Sequence, residues 1–203
     1  PDDNIGLVIF AGESFTQCPL TTDHAVLVNL FSQVSNGMLE DGTAIGMGLA
    51  TAVSRIKESK AKSKVIILLT DGCNNTGSIA PEKAAELART FGIRVYTIGI
   101  GTKEVAQIPV QTPFGVKMQD QEVKIDEGLL QSMAEMTGGK YFRATDNKSL
   151  SAIYSEIDQM EKTIMEVRHF TQRTDEYMPF ALAALLLLLA EIVLRNTLLR
   201  TIP

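Results

Sequence analysis

The sequence has 203 residues, enough for one well-cored domain besides a hydrophobic C-terminal segment. Its formal net charge is -5 at pH 7, and an acidic chain without basic clusters argues against a nucleic-acid-binding protein. The two cysteines, Cys18 and Cys73, match neither a zinc-binding pattern nor a CxxC redox pair, so they leave the redox compartment open.

The first predicted elements are two strands that form a hairpin. Ile5 to Phe10 is a short buried strand, and Phe15 to Pro19 returns as an edge strand that the proline ends. The chain starts at Pro1 and enters this hairpin without a signal peptide, so we read it as a piece of a longer protein.

Two helices are predicted next. Thr22-Asp23 offers the N-cap of the first, which ends near Asn36-Gly37 and keeps its apolar residues on one face. Those residues are Val26, Leu27, Leu30, Phe31 and Val34. Asp41-Gly42-Thr43 opens the second helix, in which apolar residues recur at helical spacing as far as Ile56. Lys60 to Lys64 is then a solvated connection.

The run from Val65 to Leu69 contains five large apolar residues without polar alternation. Both faces of such a strand must be covered, which predicts a central strand of a parallel sheet. The strand ends at Thr70-Asp71-Gly72, and open α/β sheets present their ligands at this carboxyl end of a strand.

The next elements continue the alternation of helices and strands. Pro81 starts a helix that Gly92 ends, and Ile93 to Ile100 is another buried strand. Short links between alternating elements imply right-handed crossovers, so we predict an α/β fold with a doubly wound, Rossmann-like, mostly parallel sheet flanked by helices.

Residues 102–124 interrupt this rhythm and are predicted to form a protruding hairpin. Asp126 then caps a helix that ends at Gly138-Gly139, and Tyr141-Phe142 is a short strand. Apolar residues from Leu150 to Met160 mark the last helix of the domain, which we place at residues 1–162.

The C-terminal segment differs in kind from the domain. Met178 to Ala190 is thirteen residues without a charge, and with Glu191 tolerated the apolar stretch continues to Leu194. Leucines surround the whole helix, which favours a transmembrane helix at 178–199 with a short tail to 203, after a juxtamembrane linker at 163–177. The alternative is a buried core helix in which Glu191 pairs with Arg195.

Common sequence signatures of enzymes are absent. There is no GxxxxGK[ST] phosphate loop and no GxSxG nucleophile elbow, and Gly99-Ile100-Gly101 lacks the third glycine of a dinucleotide fingerprint. The histidines, His24 and His169, are not placed as general bases at the sheet edge. We therefore expect a protein that is not an enzyme and that has no catalytic residues.

Thr43 and Asp71 are the candidate metal ligands. One begins a helix and the other ends a strand, and both places lie on the carboxyl edge of a doubly wound sheet. A hydroxyl and a carboxylate suit Mg²⁺, which keeps several of its waters. Each residue also has a plain alternative, since Thr43 could only cap its helix and an Asp-Gly pair is a common turn.

The sequence resembles the von Willebrand factor A domain family. The resemblance runs from Pro1 to about Lys162 and rests on LVIFAG, Pro19-Leu20-Thr21, Asp41-Gly42-Thr43 before TAIGMGLATAV, VIILLTDG and IRVYTIGIG. With the hydrophobic C-terminus, it is most similar to the bacterial Bat aerotolerance proteins of the BatA type.

The resemblance implies a metal-ion-dependent adhesion site (MIDAS) that binds a protein partner. Thr43 and Asp71 match its second and third parts, but the first part, Asp-x-Ser-x-Ser, does not occur in this sequence. We therefore expect a central strand to precede Pro1, and we expect this piece alone to bind Mg²⁺ or another divalent cation poorly.

The resemblance also implies partners and a location. The partners are other Bat proteins and a MoxR-type AAA ATPase, and the location is the bacterial cytoplasmic membrane, with the domain outside the cytoplasm. Two alternative functions stay open: a structural membrane scaffold with a vestigial metal site, and a Mg²⁺-dependent hydrolase that uses Asp71.

Overall fold

The structure is a computed structural model that describes residues 3–101, 105–112, 115–122, 125–171 and 178–197. It divides into two compact units, residues 1–161 and 162–203. In chain order the elements are β1 (Ile5–Phe10), β2 (Ser14–Thr21), α1 (His24–Ser32), α2 (Ile45–Ile56), β3 (Val65–Thr70), α3 (Pro81–Thr90), β4 (Arg94–Ile100), β5 (Val105–Thr112), β6 (Gly115–Glu122), α4 (Glu127–Thr137), β7 (Tyr141–Ala144), α5 (Asn147–Thr171) and α6 (Met178–Thr197).

The main sheet is parallel, as predicted. β4 lies in the middle, with β3 on one side and β7 on the other. Helices cover both faces, which confirms the predicted α/β architecture: α2, α3 and α4 enclose a core around Leu49, Val95 and Met133, and α5 packs Ile153 and Ile157 against Tyr96 and the other face.

The position of β3 corrects one expectation. Among the described strands, β3 pairs only with β4, so it lies at an edge of this sheet and not at its centre. Leu68 is buried, whereas Val65, Ile66 and Ile67 are half-buried. The apolar run reflects a strand with helices on both faces, a property that does not require a neighbour on both sides.

The N-terminal hairpin is present and antiparallel. β2 continues through Pro19 to Thr21. The pairing register shifts beside the proline, so the strand tolerates a residue that has no N–H to donate. Asp23 caps α1 as predicted, but much of the expected apolar face is exposed: Val26 is 46% and Phe31 is 64% accessible.

Residues 102–124 contain the predicted hairpin. β5 and β6 pair antiparallel from Val105 opposite Glu122 to Thr112 opposite Gly115. The chain leaves the main sheet for this hairpin after Gly101 and returns at Ile125, so the hairpin starts and ends at the carboxyl edge of the sheet.

The described residues of the C-terminal part form two helices. α5 continues past the predicted end of the domain to Thr171, and α6 occupies Met178–Thr197. In the part of the chain that the structure describes, no helix combines the length and the apolar character needed to cross a bilayer, so the predicted transmembrane helix is not found there.

A buried ion pair fixes α5 to the sheet. Both carboxylate oxygens of Glu161 accept hydrogen bonds from Arg94, and the Arg94 Nε to Oε1 distance is 2.8 Å. Tyr96 Oη donates to Oε1 at 2.7 Å and Ser63 Oγ donates to Oε2 at 3.0 Å. The Arg94 and Glu161 side chains are each only 12% exposed, so this cluster joins α5, β4 and the loop before β3 inside the domain.

Candidate metal centre

Thr43 and Asp71 lie on the same edge of the domain. Asp71 follows the last residue of β3, and Thr43 stands two residues before α2. A methyl group at Gly72 would lie 3.3 Å from Thr43 Oγ1, so the threonine hydroxyl is beside the Asp71-Gly72 turn. The structure therefore brings together the two residues that the sequence singled out.

Thr43 does not cap α2. The N-cap is Ala44, and its side chain accepts no capping hydrogen bond. Two asparagines take over this role: Asn74 Oδ1 accepts from the Ile45 N–H at 2.9 Å, and Asn75 Oδ1 accepts from the Thr43 N–H at 2.8 Å. Within the described residues the Thr43 hydroxyl has no hydrogen-bond partner, which leaves it available to a ligand.

The Asp71 carboxylate is likewise available. Its side chain is exposed and makes no hydrogen bond or ion pair with another described residue. The turn is held instead by Thr70, a buried residue whose Oγ1 accepts from the Gly72 N–H at 3.3 Å. The Asp-Gly pair does form a turn, but the aspartate side chain is not needed to stabilise it.

The turn between β1 and β2 closes the site on its other side. The Ala44 N–H donates to the Ala11 carbonyl at 2.7 Å, and the Gly12 N–H donates to the Glu40 carbonyl at 2.7 Å. A methyl group at Gly12 would lie 2.8 Å from the Asp41 carbonyl oxygen, so only glycine fits this close approach. Three loops, 11–13, 40–44 and 71–76, thus meet around Thr43.

Sequence reasoning missed Asn74 and Asn75. The only signal was two adjacent asparagines in the loop that follows a strand, a position from which amide oxygens reach the N–H groups of a helix N-terminus. The N–H groups that donate to them are distant in the chain: Ile45 and Asn74 are 29 positions apart. Periodicity and local capping rules do not report such a contact.

The chemistry of the site is that of hard oxygen ligands. It offers one hydroxyl and one carboxylate, and the described residues contain no cluster of three or more His, Cys, Asp or Glu side chains able to hold a metal. Few protein ligands and several waters are typical of Mg²⁺ coordination. The residues present therefore fit a partly hydrated divalent cation and do not form a closed structural metal cage.

We expect Asn74→Ala to lower the free energy of unfolding by about 1 kcal/mol, because the first N–H of α2 loses its acceptor. Urea denaturation followed by circular dichroism would measure the change. Asn74→Asp is the matched control, since it keeps an oxygen at the helix N-terminus and adds a favourable charge there. Equal losses in both variants would contradict the capping role.

Comparison with known proteins places the chain in a family context. The family model for the von Willebrand factor type A domain matches residues 1–156. An uncharacterised protein from Borreliella burgdorferi is 28% identical over 202 residues, which cover 99% of this chain and 59% of the relative. The chain thus spans about three-fifths of the length of this relative.

Solved structures give the same result. The protein BatB from Bacteroides thetaiotaomicron is 29% identical, with a TM-score of 0.63 over 80% of this chain and 81% of BatB. An aerotolerance-related membrane protein from Bacteroides fragilis is 28% identical, with a TM-score of 0.64 over 78% of this chain and 81% of that protein. These matches confirm the resemblance to Bat-type proteins.

A third solved structure carries a metal. It is proximal thread matrix protein 1 from the mussel byssus with a zinc-occupied MIDAS motif, 25% identical, with a TM-score of 0.59 over 78% of this chain and 34% of that protein. A protein of the same domain type therefore binds a divalent cation at the kind of motif to which Thr43 and Asp71 were assigned.

Proposed function

Because the chain belongs to the von Willebrand factor type A domain family, we propose that it binds a partner protein through a divalent cation of the Mg²⁺ type held by Thr43 and Asp71. One observation carries the proposal: at the carboxyl edge of the sheet, the Thr43 hydroxyl lies beside the Asp71-Gly72 turn, and neither it nor the exposed Asp71 carboxylate has a hydrogen-bond partner among the described residues. Domains of this family generally act in protein interactions, so the proposed role is binding and not catalysis.

Two ligands leave most of the coordination shell to water and to other groups. When bound, the cation supplies a position that a carboxylate of the partner fills, and the near-octahedral demand of Mg²⁺ gives this contact its geometric specificity. Asn74 and Asn75 fix the backbone around Thr43, and Thr70 fixes the turn around Asp71. The chain thus holds its two ligands in place before the cation binds.

We propose that a further strand completes the site. Among the described strands, β1 pairs only with β2 and β3 pairs only with β4, so the hairpin and the main sheet each have a free edge. α2 packs against β1, β2 and β3 and so lies across both sheets. A strand paired with β1 and β3 would cover half-buried apolar side chains of β3 and would end beside Asp71, where an Asp-x-Ser-x-Ser motif supplies ligands.

We also propose that α6 attaches the domain to a bacterial membrane. The consecutive residues Leu185 to Leu189 are all more than half exposed, which is unfavourable in water. The similar protein from Bacteroides fragilis is a membrane protein. With the domain outside the cytoplasm, other Bat proteins are direct candidates as partners, whereas a MoxR-type AAA ATPase would act through them.

A structural scaffold is the second candidate function. The observation that favours it is the exposure of apolar side chains on β2 and α1, where Phe15, Val28 and Phe31 are each more than half exposed. A domain that assembles through this surface would not need a cation. The exposed patch and the metal centre lie on different elements, so the two functions are separable by experiment.

Sensitivity to chelator distinguishes the two candidates. The whole protein would be cross-linked in its native membranes with Mg²⁺ present and, in parallel, with EDTA, and the cross-linked partners would be identified by mass spectrometry. Under the adhesion proposal, cross-links to loops 40–44 and 71–76 disappear in EDTA and return when Mg²⁺ is restored. Cross-links that persist unchanged in EDTA would support the scaffold.

A further inference from the structure

The two ends of the domain differ in their balance of charged residues. The carboxyl edge of the sheet, which holds the candidate metal centre, carries exposed acidic residues: Glu13, Glu40, Asp41, Asp71, Asp126 and Asp146. The amino edge at the opposite end of the strands carries basic residues: Lys57, Lys60, Lys62, Lys64, Arg89 and Lys140. Lys83 and Lys148 are also exposed at the carboxyl edge, but the acidic residues outnumber them there.

The separation follows from the winding of the chain. α2 and α3 run from the carboxyl edge to the amino edge and end at residues 56 and 90, so the basic residues around their last turns collect at one end of the domain. The loop 57–64 adds exposed Lys60 and Lys62. Acidic residues lie at this end as well: Glu58 is 3.9 Å from Lys57, Glu156 pairs with Lys140, Glu161 pairs with Arg94, and Glu135 is exposed. The basic surplus at this end therefore comes mainly from the lysines of residues 60–64 and from Arg89.

The chain also leaves the domain at the amino edge. Glu161 is the last residue of the first unit, and its carboxylate accepts a hydrogen bond from Ser63 in the lysine-containing loop. Everything that follows, including the leucine-rich helix α6, is therefore tethered at the end of the domain that carries the basic residues. The metal centre lies at the other end.

We infer that the basic amino edge lies against the anionic phospholipid headgroups of the membrane, with the candidate metal centre directed away from the bilayer. This inference rests on the proposed attachment through α6, which brings the amino edge close to the lipid surface. Each lysine or arginine near an anionic surface strengthens binding about fivefold, whereas the acidic carboxyl edge is repelled. Attachment and charge then favour the same orientation, which leaves Thr43 and Asp71 open to a partner.

Energy transfer from the protein to labelled lipid tests this orientation. The full chain would carry Cys73→Ser and a donor dye on either Lys60→Cys or Lys148→Cys, at the basic and acidic ends respectively. Vesicles would be phosphatidylcholine alone or a mixture with phosphatidylglycerol, each with an acceptor lipid. With phosphatidylglycerol we expect transfer from position 60 to exceed transfer from position 148 several-fold, and we expect high salt to reduce this ratio.

Two charge-reversed variants give a matched control. Lys62→Glu with Arg89→Glu changes the basic end, and Lys83→Glu with Lys148→Glu changes the net charge equally at the other end. With the dye at position 60, only the first pair should lower the transfer in anionic vesicles. The equilibrium preference for the basic end over the acidic end at the lipid surface should fall by at least about tenfold.

Flotation of the same samples separates the inference from its premise. Protein that floats with both vesicle types but transfers energy equally from positions 60 and 148 is attached without the proposed orientation, and this overturns the inference alone. Equal effects of the two charge reversals would overturn it as well. Protein that fails to float with either vesicle type would overturn the attachment through α6 and the inference with it.

Discussion

Replacing Arg94 with methionine is expected to lower the free energy of unfolding by about 3–5 kcal/mol. The substitution leaves the carboxylate of Glu161 inside the domain with hydrogen bonds from Tyr96 and Ser63 but without a cation. Removing one partner of a buried pair is costly because the remaining charge cannot return to water. The long side chain of methionine keeps most of the packing volume of arginine, so the loss reports the charge.

The double variant Arg94→Met with Glu161→Leu is the control for this prediction. It removes both charges, and replacing a buried pair with apolar residues of similar volume is often neutral or stabilising. Urea denaturation of the chain in mild detergent would compare the two variants with the parent. A loss below about 1 kcal/mol in Arg94→Met alone, the range of exposed ion pairs, would show that the cluster does not behave as a buried one.

The same cluster is expected to make the stability of the domain fall at low pH. Burial by itself raises the pKa of Glu161, but hydrogen bonds from Arg94, Tyr96 and Ser63 outweigh it and the pKa lies below its ordinary value. The stability that this carboxylate contributes is therefore present above the pKa of the unfolded chain and is lost as the pH falls through the folded pKa. This acid-dependent loss should be smaller in the double variant, which has no carboxyl at position 161.

At high pH the stability contributed by the cluster is expected to fall as the pH rises. Burial, helped by the hydrogen bond to Glu161, raises the pKa of Tyr96 to about 12. A raised pKa contributes stability that is complete below the pKa of the unfolded tyrosine, near 10, and that is lost as the pH rises through the folded value. The cluster is therefore expected to be most stabilising between these two limits.

The alternation of strands and helices was predictable from the sequence because each element has its own local signal. β1 and β3 are marked by continuous apolar residues, α3 by Pro81 at its start, and α4 by Asp126 at its N-cap. Parallel strands share one carboxyl edge, so the sequence also predicts that Thr43 and Asp71 lie on the same edge of the sheet.

Features that depend on distant residues were not predictable in this way. Arg94 and Glu161 are 67 positions apart, and nothing in the local sequence pairs them. The exposure of α1 is another example, since Val26 and Phe31 belong to the predicted apolar face but stay exposed, although the helix packs on β1 and β2. Periodicity identifies an apolar face but not what covers it.

Replacing Asp71 with alanine in the whole protein is expected to weaken divalent-cation binding by more than about 100-fold, because even substitutions outside the direct ligands of a metal typically cost about 10- to 100-fold. The change removes the only carboxylate that the described residues are proposed to give to the cation, and the charge of the ligands sets much of the affinity for hard cations. Titration with Mn²⁺, followed by electron paramagnetic resonance, measures binding without a known partner. The fold should persist, since Asp71 is exposed and Thr70 holds the turn.

Asp41→Ala is the matched control for the carboxylate, because Asp41 is exposed on the same edge and precedes the same helix. A general loss of negative potential would weaken Mn²⁺ binding similarly in both variants, whereas coordination by Asp71 predicts a large effect in one variant only. Thr43→Ser and Thr43→Val extend the comparison to the hydroxyl, which serine keeps and valine replaces with a methyl group. If Asp71→Ala bound Mn²⁺ as tightly as the parent, Asp71 would not be a metal ligand, and the exposed apolar side chains of β2 and α1 would become the leading candidates for partner binding.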